Sequence, residues 1–449
     1  MTDATETGAR PAGRRSLLVH DARAKRRHAA EARFRLLGMI AVTIGVLALV
    51  GLLASILTNG LSSFRQTYLH AEIYLDEAKL DKTGNRDPAE LAKVTTFGYK
   101  PLIQDAFVAQ VEAAGIDTGG MSEKEIGGLV SEEAFATVRD WVLRHPDRIG
   151  ETVPFELLAS GRIDGYFKGR VTMESAARDR NVSPEQLALA EKLRDADILN
   201  LRFNGSFLTA PDASDKRPEA AGLGVAILGS LYMMIVVLVL SLPLGVAAAL
   251  YLEEFARKTW LTDLIEVNIA NLAAVPSIVF GILGLSIFIN WAGLPQSAPI
   301  VGGLVLTLMT LPRIIIPARA ALTAVPPSIR EAALGVGASK MQTVFHHVLP
   351  LAMPGILTGV IIGLAQALGE TAPLLLIGMV AFVREFPAAP PEGFFDPAAA
   401  LPVQVYNWTT RGDPAFFERA SGAIIVLLIF LFVMNISAVL LRRRFERRW

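Results

Sequence analysis

Long runs without a charged residue constrain this chain more than any other feature of its sequence. The first run, residues 36–58, reads LLGMIAVTIGVLALVGLLASILT. A helix of about 20 apolar residues is long enough to cross the hydrocarbon core of a membrane. A helix also pairs its backbone polar groups within the segment, which lipid requires. The sequence therefore predicts a transmembrane helix over residues 36–58.

Further apolar runs predict a polytopic membrane fold. They cover residues 222–251, 268–291, 298–318, 352–383 and 420–441. Pro276 lies inside the third run of the chain, and we expect it to break or kink that helix. Hydrophobic residues make up 52% of the chain and charged residues 19%, which is more apolar than a typical soluble protein. We predict an α-helical membrane protein with six transmembrane helices.

Residues 59–220, between the first two runs, have the composition of a soluble α+β domain. Residues 68–75 and 199–204 alternate between apolar and polar positions, which is typical of half-buried strands. The two segments lie at opposite ends of the domain, so their pairing would return the chain to its starting point. Residues 212–219 (DASDKRPE) are typical of a linker.

Two capping-box patterns predict helix starts inside this domain. Ser183 is followed by Pro184 at the first helical position and by Gln186 three residues after the serine. Ser122 and Glu125 have the same spacing.

Charge at the two ends of the chain predicts its orientation. Residues 1–35 and 442–449 are both basic tails, and basic residues beside membrane helices stay in the cytoplasm. Six spans then place the loop at 253–258 and the loop at 328–350 in the cytoplasm, and residues 59–220 outside it. We expect a multi-pass protein of the bacterial cytoplasmic (inner) membrane. We expect no nucleic-acid partner, because the basic run adjoins a membrane span.

The cytoplasmic loop at 328–350 has the features of a docking element. Ala332 and Ala333 favour a helix whose small side chains allow a close approach, and Gly337 permits a sharp turn after it. Glu331 is placed to pair with a basic residue of a partner. An ordinary amphipathic connection explains the same residues, and the residues alone leave both interpretations open.

Glu370 is the most informative single residue in the apolar runs. A carboxylate inside an apolar helix is costly and is expected to face the interior of the helix bundle. Gln366 lies four residues earlier, Thr371 adds a hydroxyl, and Pro373 can open the helix locally. We interpret Glu370, Gln366 and Thr371 as part of a translocation path or its gate. The alternative is a structural hydrogen bond or ion pair between helices.

Gly355, Gly359 and Gly363 form a stripe of small residues at four-residue spacing. Such a ridge lets another helix approach closely. We predict a helix-packing face, which places Gln366 and Glu370 beside a helix–helix contact.

Arg313 lies within the run at 298–318, near its cytoplasmic end, and Arg319 lies just beyond it. The guanidinium fork suits a tetrahedral anion. Arg313 is therefore a candidate for an anion path or for a pair with Glu370. Snorkelling to the cytoplasmic headgroups is the alternative for both arginines.

The sequence carries no recognisable metal or nucleotide site. The chain has no cysteine, and the adjacent His346 and His347 would point in different directions on a helix without a third ligand. The segment 335–340 lacks the spacing of a phosphate-binding loop. We expect no metal and no cofactor, and no enzyme activity in this chain. If transport is driven by ATP, the ATPase is another chain.

The loop motif resembles the EAA loop of permeases of ABC importers. The resemblance rests on Glu331-Ala332-Ala333, Gly337 and Leu349-Pro350. Two further motifs, residues 275–281 (VPSIVFG) and 369–373 (GETAP), resemble more narrowly the PstA-type permeases of phosphate importers. Residues 59–220 resemble an extra N-terminal module of some bacterial members.

This resemblance implies a function and a set of partners. The chain would be a permease subunit of an ATP-driven importer of inorganic phosphate. Its partners would be a second permease subunit, two ATPase subunits that receive the Glu331 loop, and an extracytoplasmic phosphate-binding protein. Two residues depart from the sequence patterns of these permeases. His347 stands where the EAA loop has an aliphatic residue, and Gln366 stands where many phosphate permeases have Arg.

Two other functions remain open at this stage. One is an ABC permease for another oxyanion, such as sulfate or molybdate. The other is a membrane-anchored sensor in which the outer domain is the working part.

Overall fold

The computed structural model of the chain describes residues 22–81, 84–379 and 382–445. The chain divides into two units, Met1–Ser55 and Ile56–Trp449. The first unit contains most of helix α1 (Ala22–Gly60), an uninterrupted helix that includes the predicted span. Of the two basic tails, residues 1–21 and 446–449 lie outside the described residues.

The second unit begins with a small antiparallel sheet. Its strands are β1 (Arg65–Tyr74), β2 (Thr152–Leu158) and β3 (Leu199–Phe203), in the order β2-β1-β3. Leu69 of β1 faces Leu199 of β3, so the predicted pairing of the two ends of this domain is confirmed. The alternation did not reveal β2, which pairs with the other edge of β1.

Short helices cover this sheet and complete the insert domain (residues 59–220). They are α2 (Glu77–Leu80), α3 (Pro88–Leu91), α4 (Thr96–Ala113), α5 (Glu123–Gly127), α6 (Glu133–Arg144), α7 (Gly161–Phe167), α8 (Met173–Ala176), α9 (Pro184–Asp195) and α10 (Ser206–Thr209). Both predicted capping boxes are present, at Ser122 before α5 and at Ser183 before α9. Leu69, Ile73 and Phe107 belong to a fully buried apolar core that the sheet and helices share.

Residues 212–219 are packed in place, which corrects their interpretation as a simple linker. The Asp212 carboxylate is buried, accepts a hydrogen bond from Trp408 Nε1 at 2.9 Å and pairs with Arg411 Nη2 at 2.6 Å. A turn of 3-10 helix, Pro218–Ala220, ends the segment. The polar composition of the segment therefore reflects specific ion pairs rather than freedom in solvent.

The described residues after the insert domain are mostly helical, apart from a largely irregular segment between residues 377 and 400. The helices are α11 (Gly224–Leu250), α12 (Trp260–Ala273), α13 (Ser277–Gly284), α14 (Pro299–Thr323), α15 (Pro327–Gly335), α16 (Lys340–Thr343), α17 (Leu349–Gly369), α18 (Ala372–Leu376), α19 (Leu401–Thr410) and α20 (Pro414–Phe445). Three π-helical segments extend them: Tyr251–Phe255 after α11, Leu285–Trp291 after α13, and Val344–Val348 between α16 and α17.

Among the described residues, five helices are long and apolar enough to cross a membrane, and the pair α12 and α13 supplies a sixth if it counts as one span. The two members of that pair meet at an angle of 101°. Pro276 has no N–H to donate and clashes with the preceding turn, which explains the predicted break. The α-helical polytopic fold with a small inserted sheet domain is confirmed.

Helix α14 lies at the centre of the helical region. It packs against α11 on one side and α17 on the other, and Val305, Leu306 and Ile314 are fully buried between them. Because α14 carries both Arg313 and Arg319, this packing fixes the positions of the two candidate arginines.

Candidate functional site

Arg313 and Glu370 lie beside each other in the helical region. The Nη1 atom of Arg313 is 3.7 Å from Oε1 of Glu370, and the two side chains are 27% and 22% exposed. Nη1 is buried and has no hydrogen-bond partner among the described residues. The contact is therefore an ion pair that leaves a guanidinium donor unused.

Glu370 lies at a helix break, which corrects the expectation of a carboxylate inside a continuous helix. Helix α17 ends at Gly369, and Glu370 is extended with φ −77° and ψ 131°. Pro373 explains the break, because its ring clashes with the carbonyl four residues earlier, that of Gly369. The chain resumes as the short helix α18, so the run at 352–383 is not a single span.

The two motifs at 275–281 and 369–373 meet at this break. A Cβ added to Gly281 of α13 would lie 2.7 Å from Cα and 2.9 Å from the carbonyl oxygen of Pro373. Only a glycine allows the backbones of α13 and α18 to come this close. Two sequence motifs separated by some 90 positions in the chain thus form one structural unit that holds Glu370.

The glycine stripe of α17 faces α14. Added Cβ atoms at Gly355 and Gly359 would each lie 2.7 Å from the Cβ atoms of Ala321 and Pro317, and one at Gly363 would lie 3.2 Å from Thr310 Cγ2. The two helices therefore approach closely along the whole stripe. This contact brings Arg313 of α14 to the end of α17, next to Glu370.

Gln366 and Thr371 contribute less than Arg313 to the surroundings of Glu370. Gln366 is exposed and Thr371 is half-buried. Within the described part of the chain, the Gln366 side chain makes no hydrogen bond, and none joins it to Glu370. Because the helix ends at Gly369, the four-residue spacing does not stack Gln366 on Glu370 as it would in an unbroken helix.

The loop at 328–350 forms a bent helical element. Helix α15 ends at Gly335, Gly337 turns the chain with φ +89°, and α16 begins at Lys340. Glu331 and Ala332 are exposed, whereas Ala333 is buried. The positive φ explains why glycine occupies position 337.

Large apolar side chains of this loop are exposed. Val336 is 86% exposed, and the others with large exposed areas are Leu334, Met341 and Phe345. These exposed apolar side chains lie on the same loop as the exposed Glu331.

Ion pairs tie the loop to the ends of two long helices. Arg330 of α15 pairs with Glu254, with Nη2 2.6 Å from Oε1, and it also donates hydrogen bonds to the carbonyls of Val325 and Leu322 at the end of α14. Lys340 lies over the ring of Phe255 at 5.4 Å. A force on α15 would therefore reach both α14 and the segment after α11.

Arg319 has contacts that its position in the sequence, just beyond the run at 298–318, did not reveal. It lies 2.8 Å from Glu266 of α12 and 3.4 Å from Glu253. These contacts join three helices, so Arg319 serves helix packing rather than snorkelling into solvent. Its two partners, Glu266 and Glu253, come from two other segments of the chain.

A buried ion cluster, absent from the sequence-based candidates, joins the insert domain to the start of α20. Lys168 is 2.8 Å from Asp164 and 3.1 Å from Glu418, and Arg170 contacts both carboxylates. The side chains of Lys168, Asp164 and Glu418 are at most 5% exposed. Burial lowers the pKa of Lys168. Glu418 lies just before the predicted span, but no sequence pattern links it to residues some 250 positions earlier.

No metal site appears in the part of the chain that the structure describes, where no group of three or more His, Cys, Asp or Glu side chains could hold an ion. His346 and His347 are both exposed on the loop segment Val344–Val348.

Two family models match this chain. Residues 241–449 match the binding-protein-dependent transport system inner membrane component family. Residues 21–177 match a domain of unknown function, DUF3333.

Curated relatives align with about half of this chain. The "Probable ABC transporter permease protein YqgI" of Bacillus subtilis is 34% identical over 230 residues, which are 49% of this chain and 78% of that protein. The "Phosphate transport system permease protein PstA 1" of Mycobacterium tuberculosis is 34% identical over 51% of this chain and 72% of its own length. The "Phosphate transport system permease protein PstC" of Pasteurella multocida is 30% identical over 54% of this chain and 81% of its own.

Solved structures of importers also resemble the chain. An inward-facing form of the MetNI methionine ABC transporter gives a TM-score of 0.39 at 19% identity, over 50% of this chain and 97% of the matched one.

The polytopic helical fold, the broken helices at residues 276 and 370 and the exposed bent loop, taken with these relatives, define a membrane permease subunit of an ABC importer. The chain belongs to the family of binding-protein-dependent transport system inner membrane components, as a PstA-like permease with an additional N-terminal module. It is therefore a multi-pass protein of the inner membrane.

Proposed function

We propose that this chain is a permease subunit of an ATP-driven importer of inorganic phosphate. The observation that carries the proposal is the Arg313–Glu370 pair, held where the two PstA-type motifs meet. The relatives that bear the name of phosphate permeases supply the identity of the anion.

The chemistry of the pair suits an anion path. A carboxylate alone would repel phosphate, but Arg313 offers a guanidinium whose Nη1 has no hydrogen-bond partner among the described residues. Glu370 neutralises the guanidinium when no anion is present, at 3.7 Å rather than at hydrogen-bond distance. An arriving phosphate competes with Glu370 for Arg313 and takes over its donors. Glu370 thereby acts as a gate, and Thr371 adds a hydroxyl group next to it.

The Glu331 loop receives the ATPase in this proposal. Glu331 and Ala332 are exposed on α15, and Gly337 sets the bend that the docking surface requires. When two ATPase subunits close on ATP, they move the loop. Arg330 transmits that movement to α14 and, through Glu254, to the segment after α11. Because α14 carries Arg313, the same movement alters the pair with Glu370.

The assembly we infer contains several chains. A second permease subunit completes the translocation path, two ATPase subunits bind on the cytoplasmic side, and an extracytoplasmic phosphate-binding protein delivers the substrate. Both termini lie in the cytoplasm, and residues 59–220 lie outside the membrane. The basic residues that the structure describes at the end of α20, Arg442, Arg443 and Arg444, support this orientation.

Uptake of radiolabelled phosphate by cells that lack this chain tests the proposal. Expression of the chain should restore uptake, and an excess of sulfate or molybdate should leave it unchanged. Competition by sulfate or molybdate would instead identify a permease for another oxyanion. A chain that copurifies with no ATPase would favour the membrane-anchored sensor.

A further inference from the structure

A cleft outside the helical bundle lies between the insert domain, residues 212–219 and the start of α20. Its volume is about 640 Å³, and Lys100, Lys124 and Lys216 are among the residues that line it. We propose that this cleft binds an anion through a phosphate group, at a site separate from the Arg313–Glu370 pair.

The charges of the cleft favour an anion. Other charged groups of its lining are already paired: Arg162 with Asp413 at 3.4 Å, and Arg217 with Glu133 at 2.7 Å. Within the described residues, the three lysines have neither an ion pair nor a hydrogen bond. Two carboxyl groups of the lining, those of Glu132 and Glu219, also have no ion pair among the described residues, so the three lysines outnumber them. Lysine is a common partner of phosphate groups.

Polar groups in the wall of the cleft add hydrogen-bonding capacity. Ser131 Oγ donates a hydrogen bond to Oε1 of Glu219, whose side chain is 7% exposed. The Oε2 atom of Glu219 has no hydrogen-bond partner among the described residues. Burial raises the pKa of Glu219 to about 7. Below about pH 7 the protonated Oε2 can donate a hydrogen bond, so in that range this carboxyl group does not exclude an anion.

The absence of a side chain at Gly161 keeps this wall open. A Cβ at position 161 would lie 2.6 Å from Glu219 Oε2 and 3.4 Å from Pro218 Cγ. Gly161 begins α7, the helix that carries Asp164 of the buried ion cluster. The cleft and the ion cluster are therefore built on the same short helix.

The cleft lies close to the segments where two transmembrane helices, α11 and α20, begin. Arg419 of α20 donates a hydrogen bond to the backbone carbonyl of Glu219 at 2.8 Å, and α11 begins five residues after Glu219. Asp413, which pairs with Arg162 of the insert domain, directly precedes α20. An anion that draws the three lysines together would therefore act on the segments where α11 and α20 begin.

The inference goes beyond the proposed transport function and does not depend on it, because the cleft is tested by binding alone. The purified full-length chain in lipid nanodiscs is titrated calorimetrically with inorganic phosphate and, separately, with glycerol phosphate. The second probe is included because the cleft is larger than one phosphate ion. Binding of either probe supports the site if it depends on the lysines. The probe that binds more tightly shows whether the ligand is a free phosphate ion or a phosphate ester.

The critical variant combines Lys100→Gln, Lys124→Gln and Lys216→Gln. We expect it to weaken binding at least tenfold. A matched control, Lys79→Gln with Lys93→Gln and Lys192→Gln, removes three exposed lysines of the same domain and should bind as the wild type does. Arg313→Gln should remove only the phosphate binding expected at the Arg313–Glu370 pair and leave the lysine-dependent binding in place. If the triple cleft variant does not fold, the single variants Lys124→Gln and Lys216→Gln, at exposed positions, replace it.

Three results would overturn the proposal. The first is that the wild-type chain binds neither probe. The second is that the cleft variants bind as tightly as the wild type. The third is that Arg313→Gln, rather than the cleft variants, abolishes binding, which would assign the anion to the helical bundle.

Discussion

Arg313 Nη1 lies 3.7 Å from Glu370 Oε1, although the two residues belong to different helices and Glu370 lies where a helix ends. The close contact of α14 with the glycine stripe of α17 sets this distance. Each charge lies in an apolar bundle, so each is stable there because the other is present. The pair accounts for the presence of a carboxylate in this part of the chain.

Arg313→Gln should therefore destabilise the chain more than a double variant in which Glu370 is also replaced by Gln. Removal of one partner leaves an unpaired charge, and for side chains about a quarter exposed we expect a cost of about 1–3 kcal/mol. Thermal unfolding of the purified full-length chain measures both variants. Arg178→Gln, which breaks an exposed pair with Glu174, is the matched control and should change little. Equal destabilisation by the single and the double variant would show that the two side chains are not coupled.

Gly281→Ala should disturb the meeting of α13 and α18. The added Cβ would lie 2.7 Å from Cα of Pro373, a backbone atom that cannot turn aside. Overpacking of this kind costs about 1–3 kcal/mol. The melting temperature of the purified chain reports the loss. Gly369→Ala, where a Cβ meets nothing within 4 Å, is the control. Similar melting temperatures for the two variants would contradict the close approach.

Glu331→Lys should prevent the chain from retaining its ATPase. The substitution reverses the charge of an exposed side chain on α15 and leaves the buried Ala333 in place. We expect the amount of ATPase that copurifies with the chain to fall at least tenfold. Lys258→Gln changes a charge on another exposed loop and should leave copurification unchanged. Full retention of the ATPase by Glu331→Lys would remove this residue from the docking surface.

Glu219→Gln should change how stability depends on pH. Burial raises the pKa of Glu219 from 4.5 to about 7, so the folded chain keeps a proton that the unfolded chain loses between these values. The free energy of unfolding of the wild type therefore falls as pH rises across that window, by roughly 3 kcal/mol, and then levels off. Glu219→Gln has no proton to lose and should lack this fall.

Melting temperatures of the wild type and of Glu219→Gln, measured between about pH 5 and pH 9, test this prediction. The variant should gain stability relative to the wild type as pH rises towards neutrality. Glu392→Gln, at an exposed position, serves as the control. Parallel curves for Glu219→Gln and the wild type would show that Glu219 is ionised throughout.

The sequence was sufficient for the elements that local chemistry determines. Apolar runs predict the membrane helices, alternation predicts the pairing of β1 with β3, and capping boxes predict the starts of α5 and α9. Pro276 predicts a helix break, although no local signal gives its angle of 101°. These features depend on neighbours within a few positions in the chain.

The remaining features depend on residues that only the fold brings together. Glu370 has an apolar run on both sides, so the sequence placed it inside a helix that Pro373 could open locally. The contact of Pro373 with Gly281 of another helix was not visible. The charges of 212–219 suggested a linker, because their partner Arg411 lies some 200 positions later. The cluster of Lys168, Asp164 and Glu418 was missed for the same reason.

ATP-dependent accumulation of radiolabelled phosphate in proteoliposomes tests the central claim most directly. The vesicles contain this chain, its second permease and the ATPase, with the phosphate-binding protein supplied outside, and Glu370→Gln replaces the wild-type chain in a parallel preparation. We expect accumulation by the wild type, unchanged by excess sulfate, and at least a tenfold loss for Glu370→Gln with all subunits still assembled. Undiminished accumulation by the fully assembled Glu370→Gln complex would contradict the assignment of the Arg313–Glu370 pair to the phosphate path.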